Sequence, residues 1–279
     1  MVQDDLKSKA EAFHKLHTDP KVLVLPNAWD VASALILAEA GFPAIASTSA
    51  GVAFSRGFQD GEAISRDEML DEVAKMTARV DIPVTADLEA GYGASPEDVA
   101  ETVRRAIDAG AVGANIEDGT TDGDAPLFDF ALGVERIQAG REAADEAGIP
   151  FVINARTDGF IRVGRDAAVL DDAIKRANAY YEAGARSLFI PGVADGQTIG
   201  RLAADIGGPI NILAGPRTPP VAELEALGVA RLSVGGSIAR AAYTLARQAA
   251  EELRDLGTYR YTEDTYSNRD LNKLLGPDD

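Results

Sequence analysis

Apolar and polar positions alternate along this chain in a two-beat rhythm. Short, β-rich apolar runs at Val22–Ala28, Ala44–Ser49, Pro83–Gly91, Gly113–Gly119, Pro150–Asp158, Ser187–Val193, Ile210–Ala214 and Ala230–Gly235 read as strands. Between them, stretches with helical spacing occupy Val31–Ala40, Ser65–Arg79, Pro96–Ala109, Leu132–Ala147 and Leu170–Ala183. Gly41, Gly110, Gly148 and Gly184 each follow the last turn of such a stretch, where a left-handed residue closes a helix without a Cβ clash. Asp30, Ser65 and Ser95 stand at the starts, where a side-chain oxygen caps free amides.

Eight continuously apolar strands, each followed by a helix, predict an α/β fold of the (β/α)8 TIM-barrel type. A doubly wound open sheet is the alternative, disfavoured by regular units without a longer crossover. The first seventeen residues predict an amphipathic N-terminal helix rather than a signal peptide. No composition break interrupts residues 1–256, which are read as a single barrel domain. The tail, 257–279, carries three Tyr and five acids and is too polar for core. It is expected to pack on a neighbouring subunit or to stay partly loose.

Composition narrows the chemistry. With 279 residues and 46% hydrophobic side chains, the chain can bury a sizeable core. It has no cysteine, which excludes disulfides, thiolate metal sites and a cysteine nucleophile. Forty-five acidic against 27 basic side chains give a net charge of −18, which repels nucleic acid and anionic membranes. No run of about 20 apolar residues could span a bilayer. A cytoplasmic protein without nucleic-acid or membrane partners is expected.

In a parallel barrel the active site forms at the carboxyl ends of the strands, so polar strand ends are the candidates. The third strand ends in Asp87-Leu88-Glu89-Ala90-Gly91-Tyr92-Gly93, the fourth in Asn115-Ile116-Glu117-Asp118, and the fifth in Asn154-Ala155-Arg156-Thr157-Asp158. Asp87 and Glu89 are two apart and project to one side of a strand, where Glu117 can join them. Three carboxylates so close need a cation, and hard oxygen donors suit Mg²⁺ or Mn²⁺. Helix caps or rim ion pairs are the alternative. The planar fork of Arg156 suits a substrate carboxylate or phosphonate, or an internal salt bridge to Glu117 or Asp158. His14 and His17, three apart on the first helix, are expected at the surface. Trp29 either walls the pocket or packs between strand and helix, and Arg217 is a candidate contact for a distal carboxylate.

These residues carry a resemblance. Leu25-Pro26-Asn27-Ala28-Trp29-Asp30, the Ser47-Thr48-Ser49 loop leading to Asp60, the Asp87–Gly93 segment, Ile116-Glu117-Asp118 and Asn154–Asp158 together resemble the isocitrate lyase/phosphoenolpyruvate mutase superfamily over roughly residues 20–245. The resemblance implies a barrel that holds Mg²⁺, largely through waters, and a metal-chelated small 2-oxo or 2-hydroxy carboxylic acid. It implies metal-shell roles for Asp87, Glu89 and Glu117, a catalytic set of Asp60, Glu117 and Arg156, and substrate contacts from Trp29, Thr48, Ser49, Ala50, Asn154 and Arg156. It also implies a homotetramer or homodimer. The lid after the fourth strand departs from the pattern. It reads Thr120-Thr121-Asp122-Gly123-Asp124-Ala125-Pro126-Leu127-Phe128, with neither the lyase Lys-Lys-Cys-Gly-His motif nor the lysine and asparagine of the mutases. What remains can polarise a 2-oxo group and stabilise an enolate. That points to a carbon–carbon lyase or decarboxylase acting on an oxaloacetate-like or isocitrate-like diacid. Phosphorus–carbon chemistry and non-catalytic binding of a 2-oxo acid are the alternatives.

Overall fold

A computed structural model describes residues 2–120 and 125–276. Nine strands, β1 (Leu23–Leu25), β2 (Asn27–Ala28), β3 (Ile45–Ser47), β4 (Val84–Asp87), β5 (Gly113–Glu117), β6 (Val152–Arg156), β7 (Ser187–Phe189), β8 (Ile210–Leu213) and β9 (Arg231–Ser233), form one sheet. All pairings are parallel, in the order β1-β9-β8-β7-β6-β5-β4-β3-β2. The two ends of that order are one stretch of chain, so the sheet curls into a nearly closed barrel of the expected type.

The first predicted strand is two. Pro26 has no N–H to donate, which breaks the ladder and bends the chain. Before it, β1 pairs with β9; after it, β2 pairs with β3. Asn27 then ties the seam. Its Nδ2 donates to the Ser47 carbonyl at 2.7 Å, and its Oδ1 accepts from the amides of Val234 and Gly235 at 3.0 and 2.8 Å.

The helices form where the apolar spacing places them. Asp30, Ser65 and Ser95 each accept from the amide three residues on, in reciprocal capping boxes. The helix Pro96–Asp108 buries Val99, Val103, Ala106 and Ile107 along one stripe, and Gly110 closes it at φ 83°.

The N-terminal helix, Val2–Leu16, plugs the amino end of the barrel with Phe13, which is fully buried. A Cβ on Gly113 would stand 3.1 Å from the Phe13 ring, so the first residue of β5 must be small. His17 is not a surface residue as expected but 2% exposed. Its Nδ1 donates to the Phe13 carbonyl at 2.9 Å, leaving Nε2 to accept from Arg231 Nη1 at 3.4 Å. Burial and then the Arg231 charge lower its pKa to about 3, so it is neutral. His14, in contrast, is only half-buried.

After β9 the long helix Ser237–Leu256 runs out along the surface with only Ala239 buried. Beyond Gly257, a short turn at Arg260–Thr262 and a helix at Asn268–Leu275 return to the same chain. There Arg79 Nη2 donates to the carbonyls of Leu275 and Gly276 at 3.1 and 3.3 Å.

Candidate active site

Register decides which polar residues meet. Asp87 on β4 pairs with Asn115 on β5, and Asn115 with Asn154 on β6. Their side chains form a ladder across the barrel mouth. Asn154 Nδ2 donates to Asn115 Oδ1 at 2.7 Å, and Asn115 Nδ2 donates to Asp87 Oδ1 at 3.0 Å. The other Asp87 oxygen accepts from the Ser49 amide at 3.0 Å and its hydroxyl at 2.8 Å. The Ser47 hydroxyl accepts from the Asp87 amide at 2.8 Å. Asp87 is therefore held on every side, at 8% exposure. The expected substrate contact from the Ser49 amide is here spent on Asp87.

Two residues up, Glu117 on β5 pairs with Arg156 on β6. Arg156 Nη1 donates to Glu117 Oε1, while its Nε and Nη2 make a fork to Asp158 at 2.6 and 3.1 Å. The guanidinium also lies 5.5 Å from the centre of the Phe189 ring. Both internal partners suggested by the sequence are thus engaged. Glu117 is buried, and loss of solvent raises its pKa, against the opposing pull of Arg156. Asp118 points the other way. It receives the Tyr180 hydroxyl at 2.9 Å and the Asp158 amide at 2.9 Å, anchoring the strand end to the helix Ala167–Glu182.

Glu89 leaves the strand in a left-handed turn, at φ 50°, and its side chain is buried. The Glu62 amide donates to Glu89 Oε2, and Glu62 Oε1 accepts from the Tyr92 amide at 3.0 Å. Burial, and then the Asp87 charge, push the Glu89 carboxyl up to about 8. Asp60, exposed at the lip of the mouth, is raised by partial desolvation and by Asp87. Burial and like charge thus raise Asp60, Glu89 and Glu117, which resist ionising together with Asp87.

Among the described residues, no three acid side chains converge closely enough to ligate one ion directly. The carboxylates are turned to amide, hydroxyl and guanidinium donors instead. This donor set fits a hydrated cation, held by few direct carboxylate oxygens and by waters, rather than a fully dehydrated one.

Thr48 caps the helix Ser49–Ser55, with its Oγ1 3.4 Å from the Gly51 amide. Gly51 is required there, since a Cβ would meet Thr48 Cγ2 at 2.6 Å and Trp29 Cβ at 2.7 Å. Trp29 is half-buried against the core and packs on this helix. Ala50 is half-buried on its first turn. Among the described residues, Asn154 Oδ1 is buried without a partner. Arg217 lies further out, beside Arg165 and Asp195, and does not join the cluster. A cavity of about 360 Å³ opens between the Glu89 loop and the lid, lined by Glu62, Ala90, Gly93, Leu127, Phe128 and Leu132. Of the lid, Thr121–Asp124 lie outside the described residues, and its base is tied by a bridge between Gly119 and Leu127.

Sequence reasoning missed Glu62, Asn115 and Arg136 as parts of this site. Asn115 had a signal: a polar residue at the position where an apolar strand faces its neighbours, two before Glu117. Arg136 had one too, because it falls on the buried stripe of its helix with Gly133, Ile137 and Gly140.

A sequence model of the phosphoenolpyruvate phosphomutase family matches residues 13–254. The chain belongs to this family. Among phosphoenolpyruvate phosphomutase relatives, the 2-methylisocitrate lyase of Escherichia coli K12 is 33% identical over 273 residues, covering 95% of this chain and 90% of the relative. A crystal structure from Burkholderia cenocepacia J2315 superposes with a TM-score of 0.93 at 44% identity, covering 99% of this chain and 98% of that one. Oxaloacetate acetylhydrolase in complex with the product oxalate superposes with a TM-score of 0.86 at 25% identity, covering 97% and 94%. The phosphoenolpyruvate phosphomutase family thus spans lyases and mutases on this barrel, within the isocitrate lyase/phosphoenolpyruvate mutase superfamily, and this chain is an enzyme of the carbon–carbon lyase kind.

Proposed function

We propose that the chain is a Mg²⁺- or Mn²⁺-dependent carbon–carbon lyase or decarboxylase acting on a small 2-oxo or 2-hydroxy dicarboxylic acid. The observation that carries this reading is the placement of Asp87, Glu117 and Arg156 at the ends of adjacent strands, with the Glu89 carboxyl buried under the influence of the Asp87 charge. A cation bound there supplies Lewis-acid stabilisation of charge developing on the substrate's 2-oxygen. Asp87, fixed by Ser49 and Asn115, would be its principal holder, with Glu89 and Glu117 reaching it through water. Asp60 stands at the lip to complete the acid set.

Arg156 would orient the substrate's anionic group. Its fork is preorganised by Asp158, and a substrate carboxylate would take the place of the Glu117 contact. The helix start at Thr48, Ser49 and Ala50, with Trp29 beside it and Asn154 below, would complete the pocket. Asn154 Oδ1, which lacks a partner among the described residues, is an acceptor available to a water or a substrate hydroxyl. Without cysteine anywhere, a thiol is not the proton donor of a lyase reaction. The raised pKa of Glu89, about 8, fits a carboxyl that carries a proton near neutrality before a cation arrives.

Relatives named for 2-methylisocitrate, 2,3-dimethylmalate and oxaloacetate support this substrate class. Among the described residues no helix is long and apolar enough to cross a membrane. The test is incubation with Mg²⁺ and a panel of 2-oxo and 2-hydroxy diacids, followed by NMR. Cleavage or decarboxylation of one member is expected. Turnover of phosphonopyruvate alone would replace this reading with phosphorus–carbon chemistry, and saturable binding without turnover would replace it with a sensor.

A further inference from the structure

The loop that carries Glu89 is held in a conformation side chains rarely adopt. Glu89 and Tyr92 have φ of 50° and 57°, and Gly91 and Gly93 have φ of 88° and 157°. Left-handed residues in near succession turn the loop carbonyls of Ala90 and Gly93 inward, away from water. Buried carbonyls need donors. Both are met by one side chain, Arg136, from the helix Phe130–Glu146. Its Nη1 donates to the Gly93 carbonyl at 2.6 Å and its Nη2 to the Ala90 carbonyl.

Arg136 is 1% exposed, and its guanidinium stacks 4.0 Å from the centre of the Phe128 ring, at the base of the lid. It makes no ion pair among the described residues; backbone carbonyls and an aromatic face are its direct partners, and the charges of Glu62, Asp98 and Asp118 act on it only from further off. Burying an arginine in this way is costly, and burial lowers its pKa to about 10. A structural salt bridge would explain it cheaply, but there is none. What the guanidinium does hold is the loop between two carboxylate-bearing positions and the lid base. Glu62 also grips the same loop, at Glu89 and Tyr92.

We infer that Arg136 is a positioning residue for Glu89, acting through the carbonyls of Ala90 and Gly93 to hold that carboxylate beside Asp87. The inference rests on the cation reading above for its consequence, though not for its geometry. A guanidinium is needed because two diverging N–H groups must reach two carbonyls while the flat face lies on Phe128. A lysine ammonium has three donors on one atom but no planar fork that spans both carbonyls while lying flat on the ring.

Arg141 supplies the control. It lies on the same helix and its Nη1 also donates to a backbone carbonyl, that of Phe151 at 2.7 Å, away from the Glu89 loop. The experiment compares the full-length Arg136→Met, Arg136→Lys and Arg141→Met variants with the parent protein. Two quantities are read below the melting transition: amide hydrogen exchange across residues 88–93 in metal-free protein, and Mn²⁺ affinity by electron paramagnetic resonance. Arg136→Met should speed exchange at Gly91 and Tyr92 at least tenfold and weaken Mn²⁺ at least tenfold. Arg136→Lys should fall between, and Arg141→Met should lower the melting temperature while moving neither quantity. If Arg136→Met does not fold, Arg136→Lys carries the test. Unchanged exchange and unchanged Mn²⁺ affinity in a folded Arg136 variant would overturn the inference. Absence of Mn²⁺ binding by the parent protein would instead overturn the cation reading, while the exchange comparison would still judge Arg136.

Discussion

Glu117 and Arg156 are register partners on adjacent strands, and the guanidinium that would receive a substrate anion already donates to the Glu117 carboxylate. The same guanidinium forks onto Asp158, whose side chain is 1% exposed. Structure and function therefore draw on one group, and the two can be separated by how each substitution leaves the carboxylates.

Arg156→Lys keeps the charge between Glu117 and Asp158 but loses the fork. Its turnover should fall by about 2–4 kcal/mol in transition-state terms, comparable to removing one preorganised donor, with a modest stability loss. Arg156→Met leaves the buried Glu117 carboxylate without its guanidinium, while Asp158 keeps Arg162, and should cost about 3–5 kcal/mol of stability. Steady-state kinetics and denaturant unfolding read the two effects. Intact turnover in Arg156→Lys would make the residue an internal ion-pair partner only, and the substrate anion would have to be sought elsewhere on the rim.

Asp87 has Ser49 on one carboxylate oxygen and Asn115 on the other. Asp87→Ala should abolish measurable Mg²⁺ binding in calorimetric titration. Asn115→Ala should weaken it about tenfold, because the carboxylate then loses one of its fixed donors, a change of roughly 1.4 kcal/mol. Undiminished binding by Asp87→Ala would end the assignment of this site.

Much of this was legible in the sequence, and the residues that were not share a reason. The strands and capped helices follow from periodicity and from Asp30, Ser65 and Ser95, which are local signals. Asp87, Glu89, Glu117 and Arg156 were legible because barrel topology sends every strand's carboxyl end to one face. Glu62 and Arg136 act on the Glu89 loop from 27 and 46 residues away in sequence, through backbone groups that no motif marks. The split at Pro26 was visible as a proline inside an apolar run, yet only the barrel seam shows why the chain must bend there. His17 misled because its partner, Arg231, is 214 residues distant.

That buried pair sets an acid limit. The His17 pKa falls from 6.5 to about 3 on folding, so between those values the unfolded chain binds a proton that the native chain does not. Stability should therefore be complete above pH 6.5 and decline as the pH falls toward 3, by up to roughly 5 kcal/mol from this one group. His17→Gln, which offers Arg231 an acceptor without titrating, should flatten that decline. Urea unfolding of both proteins from pH 4 to 7 measures it, and identical slopes would show that other groups govern the acid limit.

The last prediction concerns the helix Ser237–Leu256. It is amphipathic, yet Leu245, Leu253 and Leu256 are 52%, 48% and 72% exposed, and Ala239 is its only buried residue among those described. A row of leucines on one side of a five-turn helix stabilises nothing while it faces water, and burying it would contribute about 1.5–3 kcal/mol per side chain. The tail beyond Gly257 packs against Arg79 on its own chain and leaves this stripe open. The stripe therefore fits a second copy of the chain, and a homodimer or homotetramer is expected. Light scattering at micromolar concentration should report a multiple of 29.3 kDa. Leu245→Asp combined with Leu253→Asp should reduce it to the monomer mass while the circular dichroism spectrum keeps its barrel character. A parent protein already at the monomer mass would refute the assembly.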